Sequence, residues 1–291
     1  MKVVLFCGGL GTRLKEHSET IPKPLVNIGY RPIIWHLMRY YAYFGHKEFV
    51  LCLGYRGDLI KEYFLNYNEC ISNDFIMRKG GREIETLRTD IDDWQITFVD
   101  TGQQSNIGQR LLAVREFVQD EMFLANYSDG LSDLDLNAYI QRASAGKAVA
   151  SLMAARTGDS FHAVTADEDG WVREIGPVSK SPLMINAGFF LLRPEIFDYI
   201  REGEELVAEP FIRLAQERRL FCHPYDGFWK CMDTFKDKMT FDRMYEQGEA
   251  PWEVWRPVKK TAGGRELLVS QTPAIEPMPA LSPVVDGRAA E

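Results

Sequence analysis

The residues best suited to chemistry near the start of this chain form a glycine-rich loop. The loop Gly8–Arg13 (G-G-L-G-T-R) directly follows a short apolar run, Val3–Cys7. Glycines at such a bend let backbone N–H groups approach a polyanion without obstruction by a Cβ atom. Arg13 can hold a phosphate with two parallel hydrogen bonds, and Lys23, fixed between two prolines, adds a point charge. The combination predicts a phosphate-binding site, the alternative being a structural turn with a surface lysine.

Two common glycine-loop motifs do not match this loop. A P-loop requires Gly-Lys followed by Ser or Thr after four spacer residues, and the chain has no such element. A dinucleotide fingerprint requires a third glycine, where Leu14 stands, and an acidic residue that closes the second strand. That strand instead closes with Leu53 and a glycine. The loop is therefore expected to bind phosphate within a different kind of site.

Two aspartates far apart in sequence form the second feature that could do chemistry. Asp129 follows the apolar run Met122–Tyr127, and open α/β sheets bind ligands at such carboxyl ends of strands. Asp233 follows another apolar segment, Phe228–Met232. Two carboxylates beside a triphosphate supply the hard oxygen ligands that Mg²⁺ prefers. The alternative for Asp129 alone is a turn or a helix cap.

Composition and charge limit the classes of protein to which the chain can belong. Its 291 residues are 45% hydrophobic and 26% charged, which is enough for a buried core and excludes general disorder. A net charge of −8 disfavours binding to nucleic acid or to anionic lipid. Five scattered cysteines without C-x-x-C spacing argue against a disulfide framework and a zinc site. With no apolar run of signal or membrane-spanning length, a cytoplasmic protein is expected.

The first half of the sequence alternates buried-strand runs with helical patterns, which predicts a parallel sheet. Gly80 and Gly81 suggest a hairpin within it, and Asp133 or Asp135 is better placed than Asp129 to cap a helix. The predicted strands are Lys2–Cys7, Phe49–Leu53, Gln95–Val99 and Met122–Tyr127, and the predicted helices are Pro32–Phe44, one capped by Asp58, and Gly108–Val118.

The second half has a different pattern, with shorter strands and more turns. From Arg256 onward the chain has no aromatic residue and five prolines, which is typical of a flexible tail. The predicted elements before it are a strand at Ala148–Ala154, several short strands in 161–193, helices at Pro194–Tyr199 and Glu209–Glu217, and a last helix beginning near Lys236.

Taken together, these segments resemble one enzyme family. The glycine loop, Pro22–Pro24, Tyr127–Asp133, Ile185–Phe190 and Gly227–Lys238 are similar to the motifs of sugar-1-phosphate nucleotidyltransferases, and among these most similar to bacterial glucose-1-phosphate cytidylyltransferases. The resemblance covers about residues 1–255, in order along the chain, and does not extend into 256–291.

The resemblance implies a Rossmann-like α/β nucleotidyltransferase fold, in which helices flank a mixed, mainly parallel sheet. It implies a nucleotide-binding part at about 1–147, a β-rich sugar-binding part at about 148–255, and a flexible tail at 256–291. The implied reaction is attack by an oxygen of a sugar-1-phosphate on the α-phosphorus of a nucleoside triphosphate, here CTP, with release of pyrophosphate. Mg²⁺ is the implied cofactor, and a homo-oligomer is expected. Because the nucleophile is already an anion, no general base is needed, and the sequence supplies no obvious His or Cys nucleophile.

The resemblance also assigns roles to individual residues. Arg13 supports the departing pyrophosphate, Lys23 supports the α-phosphate, and Asp129 and Asp233 bind Mg²⁺; Arg13, Lys23 and Asp129 are the expected catalytic residues. The full nucleotide-binding set is Cys7, Gly8, Gly9, Gly11, Thr12, Arg13, Lys23 and Arg110, and the sugar-phosphate set is His162, Lys180, Asn186 and Glu209.

Three departures from the family pattern all fall on the sugar side. The family's Glu-Lys-Pro motif is missing, and Lys180 either replaces its lysine from a shifted register or is a solvated loop residue. His162 and Ala187 stand where relatives have glycine. The acceptor is therefore predicted to differ from plain glucose-1-phosphate. Two alternatives stay open: the same reaction with UTP, dTTP or GTP, and a non-catalytic regulatory subunit, against which the retained Arg13 and metal carboxylates argue.

Overall fold

A computed structural model of the chain describes residues 1–9, 21–67, 74–87, 90–156 and 162–256, together with two strands at 258–260 and 266–268. The chain divides into the units Met1–Trp255 and Arg256–Glu291. The rest of the predicted flexible tail lies outside the described residues. Within the described part of the chain, no helix combines the length and apolarity needed to cross a membrane.

The helices and strands follow in chain order. The helices are α1 (Ile33–Tyr43), α2 (Gly57–Leu65), α3 (Ile107–Ala113), α4 (Arg115–Val118), α5 (Leu136–Ser144), α6 (Glu209–Gln216) and α7 (Phe235–Glu246). Short 3-10 turns lie at Lys23–Leu25, Lys79–Gly81, Val178–Lys180 and Pro194–Asp198. The strands are β1 (Val3–Phe6), β2 (Asn27–Ile28), β3 (Arg31–Pro32), β4 (Glu48–Leu53), β5 (Phe75–Arg78), β6 (Glu83–Thr86), β7 (Gln95–Asp100), β8 (Phe123–Tyr127), β9 (Gly130–Ser132), β10 (Ala150–Ala155), β11 (His162–Ala166), β12 (Val172–Pro177), β13 (Ile185–Asn186), β14 (Phe190–Leu192), β15 (Leu220–Tyr225), β16 (Trp229–Cys231), β17 (Val258–Lys260) and β18 (Glu266–Leu268).

An eight-stranded mixed sheet forms the centre of the first unit. Strands β7, β4, β1 and β8 are neighbours in that order and run parallel, as the alternation of strands and helices predicted. Beyond β8 the sheet continues through the antiparallel β14 to β10, which also pairs with β13 and, in parallel, with β15. The fold expectation, a mixed and mainly parallel sheet, is confirmed.

Alternating residues of the central strands enter two separate cores. Val3 and Leu5 pack with helices α1, α2 and α5 on one face of the sheet. Val4 and Phe6 pack with helices α3, α4 and α6 on the other face. Burial of a strand on both faces explains why its sequence is almost continuously apolar.

Two pairings position the loops that carry the candidate residues. Phe6 and Tyr127 are partners at the carboxyl ends of β1 and β8, so the chain leaves these strands at adjacent points. Farther along, β16 pairs antiparallel with β9, and Met232 N donates to the carbonyl oxygen of Asp129 at 2.8 Å. This small ribbon brings the segment around Asp233 to the end of β8.

Some local predictions are confirmed and others are wrong. The hairpin at Gly80 and Gly81 is present as β5 and β6, and Asp135 caps α5 by accepting from Ala138 N at 3.0 Å. Asp58, however, lies inside the first turn of α2, because Arg56 occupies the cap position with a left-handed backbone (φ 50°).

Three further elements differ from the sequence-based boundaries. The helix predicted at Gly108–Val118 is divided at Val114, where the backbone leaves helical geometry between α3 and α4. Pro194–Asp198 is a 3-10 turn rather than an α-helix. Asp133 caps nothing, since its carboxylate accepts from Tyr225 and from Phe228 N.

Candidate active site

Two recesses meet at the carboxyl ends of β1 and β8, and Tyr127, Asp129 and Asp233 line both of them. The first recess begins at the glycine loop, and the second lies against β13 and β16. The other residues that line the first recess are Phe6, Cys7, Gly8, Gly9, Lys23, Pro24, Ile107 and Ser128. The other residues that line the second recess are Asn126, Gly130, Ile185, Asn186, Ala187, Trp229 and Cys231.

The ammonium group of Lys23 bridges the two aspartates. Its Nζ lies 2.5 Å from Oδ2 of Asp129 and 2.6 Å from Oδ1 of Asp233, and only 16% of the lysine side chain is exposed. Burial by itself lowers the pKa of Lys23, but the two carboxylates more than offset it and raise that pKa above its usual value. Lys23 is therefore a charged lysine held by two carboxylates.

The Lys23 bridge bears on whether the two aspartates can hold a divalent ion. One cation, the Lys23 ammonium, contacts an oxygen of each carboxylate, so the two groups converge on a single point. Among the described residues no cluster of three or more His, Cys, Asp or Glu side chains is arranged to hold a metal. A site with two carboxylates that leaves its other positions to substrate oxygens and water suits Mg²⁺, so the donor set fits the expected ion.

Arg110 lies beneath the start of the glycine loop. Its side chain is 1% exposed, and its Nη1 donates to Leu53 O at 3.0 Å and to Thr101 Oγ1 at 2.7 Å. A Cβ on Gly8 would lie 2.1 Å from this Nη1, whereas a Cβ on Gly9 would meet no described atom within 4 Å. Gly8 is therefore required by the packing of Arg110, a constraint that sequence alone did not separate from phosphate binding.

The remaining loop residues fall into two groups. Cys7 lies in the first recess, where burial raises the pKa of its thiol to about 12, so this sulfur is a protonated packing group at neutral pH. Gly11, Thr12 and Arg13 lie outside the described residues, and their predicted contacts stay predictions.

Of the four predicted sugar-side residues, only Asn186 lines the second recess. His162 is exposed on β11, and Lys180 is exposed beside the β11–β12 hairpin, where it lines a separate recess with Pro177 and neighbouring residues. Glu209 starts α6, and its carboxylate accepts from Glu205 N at 3.2 Å. The fold therefore places Asn186 in the same recess as the two carboxylates. His162, Lys180 and Glu209 do not line that recess.

Tyr127 and Trp229 line the recesses but were not predicted from the sequence. The Tyr127 ring packs against Phe6 and Phe190, with ring centroids 6.3 and 5.5 Å apart. Tyr127 could have been predicted from its position, because it ends β8 two residues before Asp129. Trp229 is partnered with Ser132 across the β9–β16 ribbon, which no local pattern indicates.

Comparison with known proteins identifies relatives of this chain. A family model described as Nucleotidyl transferase matches residues 2–230. A glucose-1-phosphate cytidylyltransferase of Salmonella typhi is 41% identical over 259 residues, covering 88% of this chain and all of that protein. A D-glycero-alpha-D-manno-heptose 1-phosphate guanylyltransferase of Campylobacter jejuni is 28% identical, covering 73% of this chain and 85% of that one.

Solved structures with the same architecture have more distant sequences. UDP-glucose pyrophosphorylase in complex with UDP-glucose superposes with a TM-score of 0.61 at 14% identity, covering 84% of this chain and 98% of the other. HddC from Yersinia pseudotuberculosis superposes with a TM-score of 0.58 at 19% identity, covering 84% and 99%. At these identities the likeness shows the fold alone.

Proposed function

This chain belongs to the nucleotidyl transferase family, and from that premise we propose that it transfers a cytidylyl group from CTP to a sugar-1-phosphate. The observation that carries the proposal is the pair of recesses that share Asp129 and Asp233. One recess starts at the glycine loop and suits a triphosphate, and the other contains the polar side chain of Asn186. Cytidine as the base rests on the 41% identity with the Salmonella typhi enzyme.

The reaction requires alignment and charge neutralisation rather than proton transfer. An oxygen of the sugar phosphate forms a bond to the α-phosphorus, the bond from that phosphorus to the β-phosphate oxygen breaks, and pyrophosphate leaves with the electron pair. The attacking oxygen is already anionic, so no side chain has to remove a proton. Two anions must nevertheless be brought together in line, which costs electrostatic free energy unless cations lie between them.

The chain supplies the required groups at the junction of the recesses. Asp129 and Asp233 would hold the divalent ion, which when bound neutralises phosphate charge and keeps the two substrates in register. The Lys23 ammonium has three N–H donors, and its contacts with the two carboxylates leave one of them for a phosphate. Arg13 is proposed to hold the departing pyrophosphate by its bidentate guanidinium.

The acceptor is proposed to differ from plain glucose-1-phosphate. Ala187 is 2% exposed and lines the second recess, and its methyl group occupies space that a glycine would leave open. Asn186 is the first candidate for contact with sugar hydroxyls, since it lines the same recess. Roles for His162, Lys180 and Glu209 in holding the sugar phosphate are part of the same proposal.

The test combines each of a panel of sugar-1-phosphates with CTP, UTP, dTTP or GTP and measures the release of pyrophosphate. The proposal expects Mg²⁺-dependent turnover with CTP, and an acceptor that reacts more efficiently than glucose-1-phosphate. A preference for another triphosphate would overturn cytidine, and glucose-1-phosphate as the best acceptor would overturn the altered specificity. No pyrophosphate from any pair would favour a regulatory binding protein instead.

A further inference from the structure

Tyr127 lies at the boundary between the two recesses, and its hydroxyl is bonded to Asn186, which lines the second. Tyr127 is the last residue of β8, and it lines the first recess as well as the second. Its ring is held on two sides by Phe6 and Phe190. The hydroxyl is therefore a polar group with a fixed position, since rings packed between aromatic neighbours have few alternatives.

Asn186 determines which hydrogen bond this hydroxyl can still make. Gly188 N donates to Oδ1 of Asn186 at 3.0 Å, so the amide group turns its nitrogen toward Tyr127. Nδ2 of Asn186 then donates to the Tyr127 hydroxyl oxygen at 3.2 Å. The hydroxyl oxygen is thus an acceptor for Asn186, and its own proton is paired with no acceptor in the described part of the chain. A tyrosine hydroxyl in this state is a donor available to a ligand.

We propose that Tyr127 donates this hydrogen bond to the phosphate group of the sugar-1-phosphate, with Asn186 holding the hydroxyl in position. The inference rests on the proposed function and adds to it the group that receives the acceptor phosphate.

The position of the reacting atoms supports a phosphate rather than a sugar hydroxyl as the partner. The acceptor phosphate must lie between the two recesses, because one of its oxygens attacks the α-phosphorus. Three residues line both recesses, and two of them, Asp129 and Asp233, have carboxylates that would hold the divalent ion and have no N–H or O–H to donate to a phosphate. Tyr127 is the neutral donor at that boundary, whereas Lys23 lines the first recess with the glycine loop.

A second Asn–Tyr pair serves as a control; its Asn126 lines the second recess, but its Tyr41 lines neither. Asn126 Nδ2 donates to the Tyr41 hydroxyl at 3.1 Å, and Asn126 Oδ1 accepts from Phe189 N at 3.0 Å. Asn186 and Tyr127 make the same two bonds: in each pair the asparagine donates to a tyrosine hydroxyl and accepts from a backbone N–H. Tyr41, however, is fully buried and is not among the residues that line the two recesses. Removal of its hydroxyl tests the structural cost of losing such a bond without loss of a ligand contact.

The experiment compares Tyr127→Phe with Tyr41→Phe in the full-length protein under steady-state conditions. For Tyr127→Phe we expect KM for the sugar phosphate to rise about tenfold or more, the size of a hydrogen bond to a charged group, while KM for the triphosphate changes less than twofold. Inorganic phosphate, used as a competitive inhibitor against the sugar phosphate, should lose affinity by a similar factor. Tyr41→Phe should lower the unfolding temperature and leave both KM values as they are.

A double substitution then tests the role of Asn186. If Asn186 acts through the hydroxyl, Asn186→Ala should raise KM for the sugar phosphate in the native background by more than it does in the Tyr127→Phe background. Equal effects in both backgrounds would mean that Asn186 does not hold the hydroxyl.

Each remaining outcome separates this inference from the proposed function. Wild-type turnover with an unchanged KM for the sugar phosphate in Tyr127→Phe would overturn the inference alone. A raised KM with unchanged inhibition by inorganic phosphate would show that the hydroxyl contacts the sugar, which also overturns it. Wild-type protein that releases no pyrophosphate with any pair of substrates would overturn both.

Discussion

The guanidinium of Arg110 occupies the space that a side chain on Gly8 would need. Nη1 of Arg110 is anchored to Leu53 O and to Thr101, and a Cβ on Gly8 would lie 2.1 Å from it. Gly8, the first residue of the glycine loop, therefore packs against a buried and tethered side chain. The residue type at position 8 is therefore limited by the packing of Arg110 as well as by the predicted phosphate binding.

The first prediction compares Gly8→Ala with Gly9→Ala. We expect Gly8→Ala to lower the free energy of unfolding by about 1–3 kcal/mol, because overpacking forces Arg110 or the loop to move. Gly9→Ala should change stability by less than about 0.5 kcal/mol, since no described atom lies near its Cβ position. Urea unfolding without ligand measures both, and equal losses in the two variants would contradict the role assigned to Arg110.

The second prediction concerns metal affinity in the absence of nucleotide. The Lys23 ammonium contacts both of the carboxylates that would hold a divalent ion. We expect Lys23→Met to bind Mn²⁺ about tenfold tighter or more, because a charge-assisted hydrogen bond of about 1.5–3 kcal/mol no longer has to be broken. Turnover should nevertheless fall.

Electron paramagnetic resonance of free Mn²⁺ gives the affinity directly. Lys61→Met, which removes an exposed lysine on α2, is the control and should bind Mn²⁺ as the wild-type protein does. Weaker binding in Lys23→Met would show that the lysine assists the metal instead of competing with it.

The third prediction removes the carboxylates one at a time. Asp129→Asn and Asp233→Asn should each lower the rate about a hundred- to thousand-fold, because neither amide can provide an anionic ligand. The circular dichroism spectrum should be unchanged. Asp58→Asn, on the exposed first turn of α2, should retain full turnover. Turnover near the wild-type rate in either site variant would remove the metal assignment.

The fourth prediction concerns acceptor choice. Ala187→Gly removes one methyl group from the second recess, and catalytic efficiency with glucose-1-phosphate should rise about tenfold relative to the native acceptor. The same change should cost about 0.5–1 kcal/mol of stability through added backbone freedom. Competition between the two acceptors, followed by chromatography of the products, measures the ratio. An unchanged ratio would place the source of specificity elsewhere.

The fifth prediction concerns the dependence of stability on pH. Burial, and then the N-terminal ammonium 3.2 Å from its Nδ1, lower the pKa of His46 to about 4. Because the unfolded chain binds this proton near pH 6.5, the folded state loses stability as the pH falls from 6.5 through 4. The loss should be on the order of 1 kcal/mol, since the ring is only partly buried.

Urea unfolding at several pH values measures this loss. His46→Gln has no ring to protonate, so its unfolding free energy should decline less over the same interval than that of the wild-type protein. Identical slopes for the two proteins would contradict the assignment to His46.

Much of the fold followed from local pattern. Apolar runs and helical spacing predicted the parallel strands, and the placement of Asp129 at a strand end predicted its position in the site. The N-terminus of α2 was misplaced, because a left-handed residue at Arg56 is allowed by the turn and is not signalled by residue type. The resemblance to the family also indicated that Asp233 belongs with Asp129.

What remained unpredicted depends on packing between segments distant in sequence. The bridge from Lys23 to both carboxylates and the bond from Asn186 to Tyr127 require distances that no spacing encodes. The position of Lys180 was likewise not predictable, because it depends on where the separate β11–β12 hairpin lies. Residue type alone could not separate Gly8, which Arg110 requires, from Gly9.

The ribbon of β9 and β16 has a consequence for the nascent protein. Asp129 immediately precedes β9, and Asp233 lies just after β16. The two residues therefore meet only when β16 has paired with β9. A chain still under synthesis, with Asp233 inside the ribosome, has only one of the two carboxylates proposed to hold the divalent ion. Under the proposed function, incomplete chains would therefore consume no triphosphate, and a truncated product that escapes degradation would be inert.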